Sequence, residues 1–155
     1  MNNQTIPAAD LHTLYRNTND EGKKVLEKNY GIEYFKMPIA LQEVYEYNGV
    51  TEDQVVPFKD PQNDFQKWVN ACANLAQIYE AYNKGEKTDW KNPNQFKYRS
   101  WYWMDGRSGS RLSLCAVDYV FSCAFVASRL HALDETNAEL IYKNFPQVVE
   151  DFMLG

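Results

Sequence analysis

The chain has 155 residues, 45% of them hydrophobic and 24% charged, which gives one domain whose single core covers roughly two thirds of the unfolded surface without a staple. Its most apolar uncharged run, Tyr119 to Ser128, is ten residues long, half of the ~20 that a membrane-spanning helix requires. A formal net charge of −5 excludes a general affinity for nucleic acid or anionic membranes, which depends on a basic surface field, so any anion site must be local.

From the N-terminus, MNNQTIPAAD has neither a basic start nor an apolar core, which predicts no secretory signal and a cytoplasmic protein. Thr18-x-x-Glu21 reads as a capping box opening a helix with Val25 and Leu26 on one face, ended by Gly31 in the left-handed conformation. Ile39 to Asn48 repeats the scheme, with Leu41, Val44 and Tyr45 as its apolar stripe and Gly49 as terminator. Thr51, Glu52 and Asp53 open a short turn that Pro57 closes. The strongest helical period runs from Asn63 to Asn83, where Phe65, Trp68, Val69, Cys72, Leu75, Ala76, Tyr79 and Tyr82 advance by threes and fours. Asn63-x-x-Gln66 caps its start, and its stripe is predicted to pack on the sheet through Trp68, Cys72, Leu75 and Tyr79.

A turn-rich segment, Lys84 to Gln95, with Gly85 and Asn92-Pro93-Asn94, then changes the period from helical to alternating. Phe96 to Trp103 reads as a strand with Phe96, Tyr98, Ser100 and Tyr102 on one face and Lys97, Arg99, Trp101 and Trp103 on the other. Asp105-Gly106 and Ser108-Gly109 make a hairpin loop, after which Arg111 to Val120 and Cys123 to His131 supply two further strands. Thr136-x-x-Glu139 caps a closing helix that buries Leu140, Ile141, Phe145, Val149 and Phe152. Pro146 interrupts that helix, and a proline costs ~3 kcal/mol in a helix interior, so a kink or a break into two short helices is expected there. Cys72, Cys115 and Cys123 form an odd set with no CxxC and no nearby pair of histidines. They read as small buried hydrophobes, not as a disulfide framework or zinc site. The expected fold class is α+β, with a helical N-terminal half, a three-stranded antiparallel sheet and a C-terminal helix in a single domain, 1–155.

Charge is unevenly spread: residues 1–83 sum to −5, 84–129 to +4 and 130–155 to −4. The middle block holds four of the five arginines, Arg99, Arg107, Arg111 and Arg129, and three of the four tryptophans, Trp90, Trp101 and Trp103. Such a mixture suits an anion bearing a flat ring, because guanidinium meets the charge while the rings stack. The candidate ligand-binding residues are therefore Lys97, Arg99, Trp101 and Trp103 on one strand face, Arg107 in the hairpin loop and Arg129 in the third strand. Opposed to this is a face covered by a helix, with the aromatics as core and the cations at its rim. Arg129, in an apolar run from Ala124 to Leu133, must find an acceptor: either Asp118 on a neighbouring strand or a ligand anion held bidentately. Arg107 either closes over a bound phosphate or is solvated.

The stretches DWKNPNQFKYRSWYW, SGSRLSLCAVDYV, VASRL and EDFML resemble a family of small, mostly uncharacterised proteins of phages and mobile elements of gut anaerobes. That family carries a D-W-x-N-x-x-x-x-K-Y-x-x-W-F segment, a Ser/Gly-rich hairpin, an S-R-L motif and a terminal helix leading to an Asp-Phe pair. The similarity covers roughly Leu41 to Leu154, and Asp89, Trp90, Asn92, Lys97, Tyr98, Ser128, Arg129, Leu130, Asp151 and Phe152 match best. Ser100-Trp101-Tyr102 stands where the family has Pro-Trp-Phe, and Pro146 interrupts a helix that is continuous in the family. The resemblance implies a phage or prophage origin and this order of elements; it implies no activity.

Catalytic signals are weaker. His12 reads as part of a polar N-terminal segment and His131 as a surface histidine at a strand end, with a general-base role beside Asp134 and Glu135 as the alternative. Neither adjoins a Cys or Ser in a recognisable nucleophile arrangement. The sequence has no GxGxxG, P-loop or HExxH, and Asp53, Asp60 and Asp64 read as turn and cap residues. The expectation is a non-enzymatic binding protein, without cofactor or metal, that holds a nucleotide or single-stranded nucleic acid and counters a host factor. The competing expectation is a virion accessory or host-protein-binding inhibitor with no small ligand, its aromatics serving as core or interface anchors.

Overall fold

The computed structural model describes residues 8–103, 112–120 and 130–154. Their helices are α1 (Ala8–Asn17), α2 (Asp20–Tyr30), α3 (Ile32–Lys36), α4 (Leu41–Asn48), α5 (Glu52–Val55), α6 (Asp64–Tyr82), α7 (Glu135–Asn144) and α8 (Pro146–Leu154), and their strands are β1 (Lys97–Trp103) and β2 (Ser113–Val120). The class is α+β.

Helix ends follow the polar residues that can satisfy them. The side chain of Asn19, not Thr18, caps α2 by accepting from the Gly22 N–H at 2.9 Å. Thr18 instead packs on Gly22, where a Cβ would meet its Oγ1 at 2.1 Å. Gly49 ends α4 in the left-handed region at φ 68° and ψ 31°, whereas Gly31 ends α2 at φ 81° and ψ 142°, a positive φ outside the left-handed helical well. Thr51 and Gln54 form a reciprocal capping box on α5. Asn63 caps α6 as expected, accepting from the Gln66 N–H at 2.9 Å. The cap of α7 lies two residues before the box predicted at Thr136, because Asp134 accepts from the Asn137 N–H.

Helix α6 is the spine, but its buried side is rotated from the predicted stripe. Ala71, Asn74, Leu75, Ile78, Tyr79, Ala81 and Tyr82 are buried, while Phe65 is 65% and Trp68 39% exposed. The cause is the company it keeps: α6 packs chiefly on α8 and α4 and then on α7, and the sheet packs on α7. Pro146 makes this arrangement available. It occupies the first position of α8, where its missing N–H costs nothing, and the break lets α8 turn back across α6. Several of the polar groups buried here are paired. Tyr82 donates its hydroxyl to the Pro38 carbonyl at 2.9 Å and accepts from Asn144 Nδ2 at 2.7 Å. Tyr45 donates to Asn74 Oδ1 at 2.6 Å.

Strands β1 and β2 are antiparallel, with Lys97 opposite Val120 and Trp101 opposite Ala116. The register then slips so that Tyr102 faces Leu114, leaving Cys115 as the extra residue of a bulge. The Tyr98, Ser100 and Tyr102 face meets α7: Ser100 Oγ donates to the Ala138 carbonyl at 3.0 Å, and the Tyr102 and Tyr142 rings lie 5.2 Å apart. On the side of β1 away from β2, Tyr98 and Ala132 exchange backbone hydrogen bonds of 2.8 and 3.1 Å. Among the described residues the sheet therefore has two strands and this one bridge, where three strands were expected. The bridge falls at Ala132, one residue past the expected third strand (Cys123 to His131), and pairs with β1; residues 123–129 lie outside the described residues.

Candidate functional site

The chain passes from α6 to β1 through a loop that staples itself. Lys84 and Gly85 both take positive φ, and their N–H groups close α6 on the carbonyls of Ala81 and Glu80. Asp89 Oδ1 then accepts from the Lys91 N–H at 2.9 Å and Asn92 Oδ1 from the Asn94 N–H at 2.9 Å. These are local turns of the kind that Asp and Asn side chains stabilise. The Gln95 side chain spans the loop, accepting from the Asp89 N–H at 2.6 Å and donating to the Lys87 carbonyl at 3.3 Å.

Lys97 belongs to this staple and not to the predicted ligand face. It is fully buried, and its Nζ donates to the carbonyls of Gln95 at 2.8 Å and Asn92 at 3.3 Å while lying 5.3 Å from the Trp90 ring centroid. Alternation along the strand predicts only on which side a residue leaves the sheet. Here the loop folds back to cover that side at the first strand residue. The Trp90 ring also meets His131, with ring centroids 5.3 Å apart at 84°.

Two residues further on, the face opens. Trp101 is 49% and Trp103 54% exposed, so α6 does not cover this end of β1. The Arg99 guanidinium lies 4.7 Å from the Trp101 ring centroid and its Nη2 is 3.5 Å from Asp118 Oδ2. Asp118, the partner expected for Arg129, thus faces Arg99 directly across the ladder. Arg107, Arg111 and Arg129 lie outside the described residues. Of the six predicted site residues, the structure sets Arg99 on Trp101, leaves Trp103 exposed further along the same strand and withdraws Lys97.

Beside Trp101 runs a groove of about 240 Å³ between β1, α6 and α8. Leu75, Tyr79, Val149, Phe152 and Met153 supply its apolar walls, and Arg99 and Tyr102 line it from β1. Burial pushes the Tyr102 phenol up to about 12, so it stays a neutral hydroxyl. Periodicity identified Leu75, Tyr79, Val149 and Phe152 as apolar stripe residues, but nothing local marks Met153 or shows that the two stripes leave a groove between them.

Both histidines differ from expectation. His12 is buried against the Tyr34 and Phe35 rings, and desolvation holds its imidazole below the usual histidine range. His131 is buried too, with its carbonyl accepting from Asn83 Nδ2 at 2.8 Å. Cys72 is half-buried and Cys115 exposed, both free thiols and neither a core hydrophobe; Cys123 lies outside the described residues. Among the described residues no cluster of three or more His, Cys, Asp or Glu side chains is placed to hold a metal, and no helix is long and apolar enough to cross a membrane. The arrangement offers stacking, one guanidinium and an apolar slot, which are means of binding. No family model, curated protein or solved structure matches the chain.

Proposed function

We propose that the protein is a small non-enzymatic binding protein that holds a nucleotide, or a few bases of a single strand, on the outer face of β1. The observation that carries this reading is the pair Trp101 and Trp103, both half exposed on one strand face, with Arg99 over the first ring. Same-face residues repeat every ~6.6 Å along a strand, so the two indoles offer neighbouring platforms for bases splayed out of a stack. Electrostatics favour a short ligand. Lys97 is withdrawn, Asp118 stands beside Arg99, and the chain carries −5 overall. A ligand with one or two phosphates meets that field better than a long strand, and its affinity should fall only ~0.7 log units per decade of salt for each phosphate neutralised. The resemblance to small phage proteins supplies a setting in which such binding withholds a nucleotide from a host factor.

The test begins with the ultraviolet spectrum of protein washed at high salt, where excess absorbance at 260 nm marks a retained nucleotide. Mononucleotides and short oligothymidylates are then titrated while tryptophan fluorescence is followed. Trp101→Ala should weaken binding by ~1–3 kcal/mol, the loss of one stacked ring. A clean protein spectrum and no fluorescence response at low salt would overturn the reading.

A second reading has its own observation. Phe65 and Trp68 are exposed on α6 with ring centroids 6.2 Å apart, and Trp68 lies two turns before Leu75 on the same helical stripe. Two adjacent exposed aromatics on one helix favour a protein partner anchored by a few large side chains. On that reading Phe65→Ala and Trp68→Ala weaken partner binding and leave nucleotide titrations unchanged.

A further inference from the structure

At its C-terminal end α6 and the loop that follows it enclose a cavity of about 490 Å³, within the ~300–1,000 Å³ range of small-molecule sites. Half-buried Trp90 and buried Tyr79 line it, together with the exposed residues Ala76, Glu80, Glu86 and Lys87. We propose that this cavity binds a small primary amine, its ammonium held by Glu80 and Glu86 and its apolar body, one ring or a short chain, lying against Trp90. None of these residues belongs to the outer face of β1, so the proposal does not rest on nucleotide binding.

The turn brings the two carboxylates to one end of the helix. Lys84 and Gly85, at φ 54° and 76°, reverse the chain, and the Gly85 N–H donates to the Glu80 carbonyl at 3.0 Å, so Glu86 leaves the turn beside Glu80. Neither carboxylate forms an ion pair, and Lys87, the one cation of the lining, pairs with neither. Two carboxylates against one ammonium leave the lining at −1, in a chain of −5. The 19-residue α6 adds about half a negative charge at this end. Deeper in the wall, Tyr79 is 8% exposed and its hydroxyl has no hydrogen-bond partner. Burial holds that phenol well above the usual tyrosine range, so it remains a neutral hydroxyl whose oxygen can accept. Trp90 is a fixed platform, held by fully buried Lys97 at 5.3 Å and by the His131 ring, and indole is the ring best suited to a cation. A primary ammonium has three donors, one each for Glu80, Glu86 and the Tyr79 hydroxyl, whereas a quaternary ammonium has none to offer.

Calorimetric titration of the full chain with 2-phenylethylamine, and with 2-phenylethanol as an uncharged body of the same size, tests it. The amine should bind with Kd below about 1 mM at low salt, and the alcohol about tenfold more weakly. Glu80→Gln and Glu86→Gln combined in one chain should erase that preference and leave the alcohol's affinity unchanged; both side chains are exposed, so the fold tolerates the change. Lys87→Gln should strengthen amine binding about twofold, and Ala76→Trp, which fills the cavity, should weaken both ligands. Equal affinity of amine and alcohol for the wild-type protein would overturn the proposal. So would no heat from the amine at about 10 mM, or a preference that survives in the double variant. The double variant removes only two of 21 acidic residues, so a diffuse attraction to the acidic surface would survive it. Trp101 and Trp103 do not line the cavity. Trp101→Ala and Trp103→Ala should therefore weaken nucleotides and spare the amine, which separates failure of one reading from failure of the other.

Discussion

Lys97→Met asks whether this lysine is a scaffold cation or a ligand cation. The substitution keeps most of the stem's volume and removes the ammonium. Lost are a charge-assisted bond to the Gln95 carbonyl at 2.8 Å, a longer one to Asn92 at 3.3 Å, and the approach to Trp90 at 5.3 Å. The first is worth ~1.5–3 kcal/mol and the last ~0.5–2 kcal/mol. Against them stands the recovered cost of holding an ammonium away from water, itself several kcal/mol, and the freed carbonyls belong to half-buried Gln95 and exposed Asn92, which water reaches. The balance is a net loss of about 1–2 kcal/mol. For a chain of this length that lowers the melting midpoint by ~2–4 °C per kcal/mol. Melting followed by near-ultraviolet circular dichroism reads the midpoint, and hydrogen exchange of the amides of residues 89–98 reads the loop. Pairing the change with Trp90→Leu in a double-mutant cycle should return a coupling of ~0.5–2 kcal/mol. A surface ligand cation would change stability by no more than about 0.5 kcal/mol, so an unchanged midpoint with unchanged exchange refutes the scaffold assignment.

Leu75→Ala, at a buried position of α6, should cost ~2–5 kcal/mol, while Phe65→Ala on the exposed end of the same helix should stay within about 0.5 kcal/mol; urea melts of the two variants check which side of α6 is core. Tyr82→Phe strips the hydroxyl from between the Pro38 carbonyl and Asn144 Nδ2 and should cost ~1–3 kcal/mol for the buried groups left behind, read from the same melts. The buried imidazole of His12 is held below its ordinary 6.5 by desolvation first and by Arg16 second, with Glu43 and the Tyr34 backbone opposing. The unfolded chain therefore binds the proton more readily. The stability from neutral His12 is complete above pH 6.5 and is lost as pH falls from there toward the folded value, and His12→Gln should flatten that part of the stability-pH curve.

Local signals with one strong candidate were legible in the sequence. Asn63 fixed the start of α6, Gly49 the end of α4 and Pro146 the break between α7 and α8, because each residue does something its neighbours cannot. Where several residues could serve, the position shifted: Thr18, Asn19 and Asp20 can all cap, and Asn19 does. The buried side of α6 was harder to read. Phe65 and Trp68 are apolar by any scale, yet Ala71, Asn74 and Ala81 are the residues inside, since α4 and α8 decide which side is covered and both are remote in sequence. Lys97 was misplaced for a related reason. Period-2 alternation put it on the face of Arg99 and Trp101, and only the return of the loop through Asn92 and Gln95 shows that its charge is consumed internally. The neighbour of Ala132 is also long-range information, because a meander and a strand on the far side of β1 have the same residues in the same order.

Five polar and aromatic residues build the loop between α6 and β1 and its junction with the sheet. Asp89 and Asn92 make its turns, Lys97 and Trp90 lock it, and Tyr98 pairs with Ala132 on the far side of β1. In this chain Asp89, Trp90, Asn92, Lys97 and Tyr98 are thus the residues that join α6 to β1. The candidate site lies on the positions that follow, Arg99 to Trp103. Ser100 donates its hydroxyl to the Ala138 carbonyl at 3.0 Å. That bond ties β1 to α7 at the residue between Arg99 and Trp101. Successive strand residues point to opposite faces, so fixing Ser100 inward on α7 holds both neighbours outward, one beside Asp118 and the groove, the other as an open indole. The Ser100–Ala138 contact is therefore what presents the candidate site.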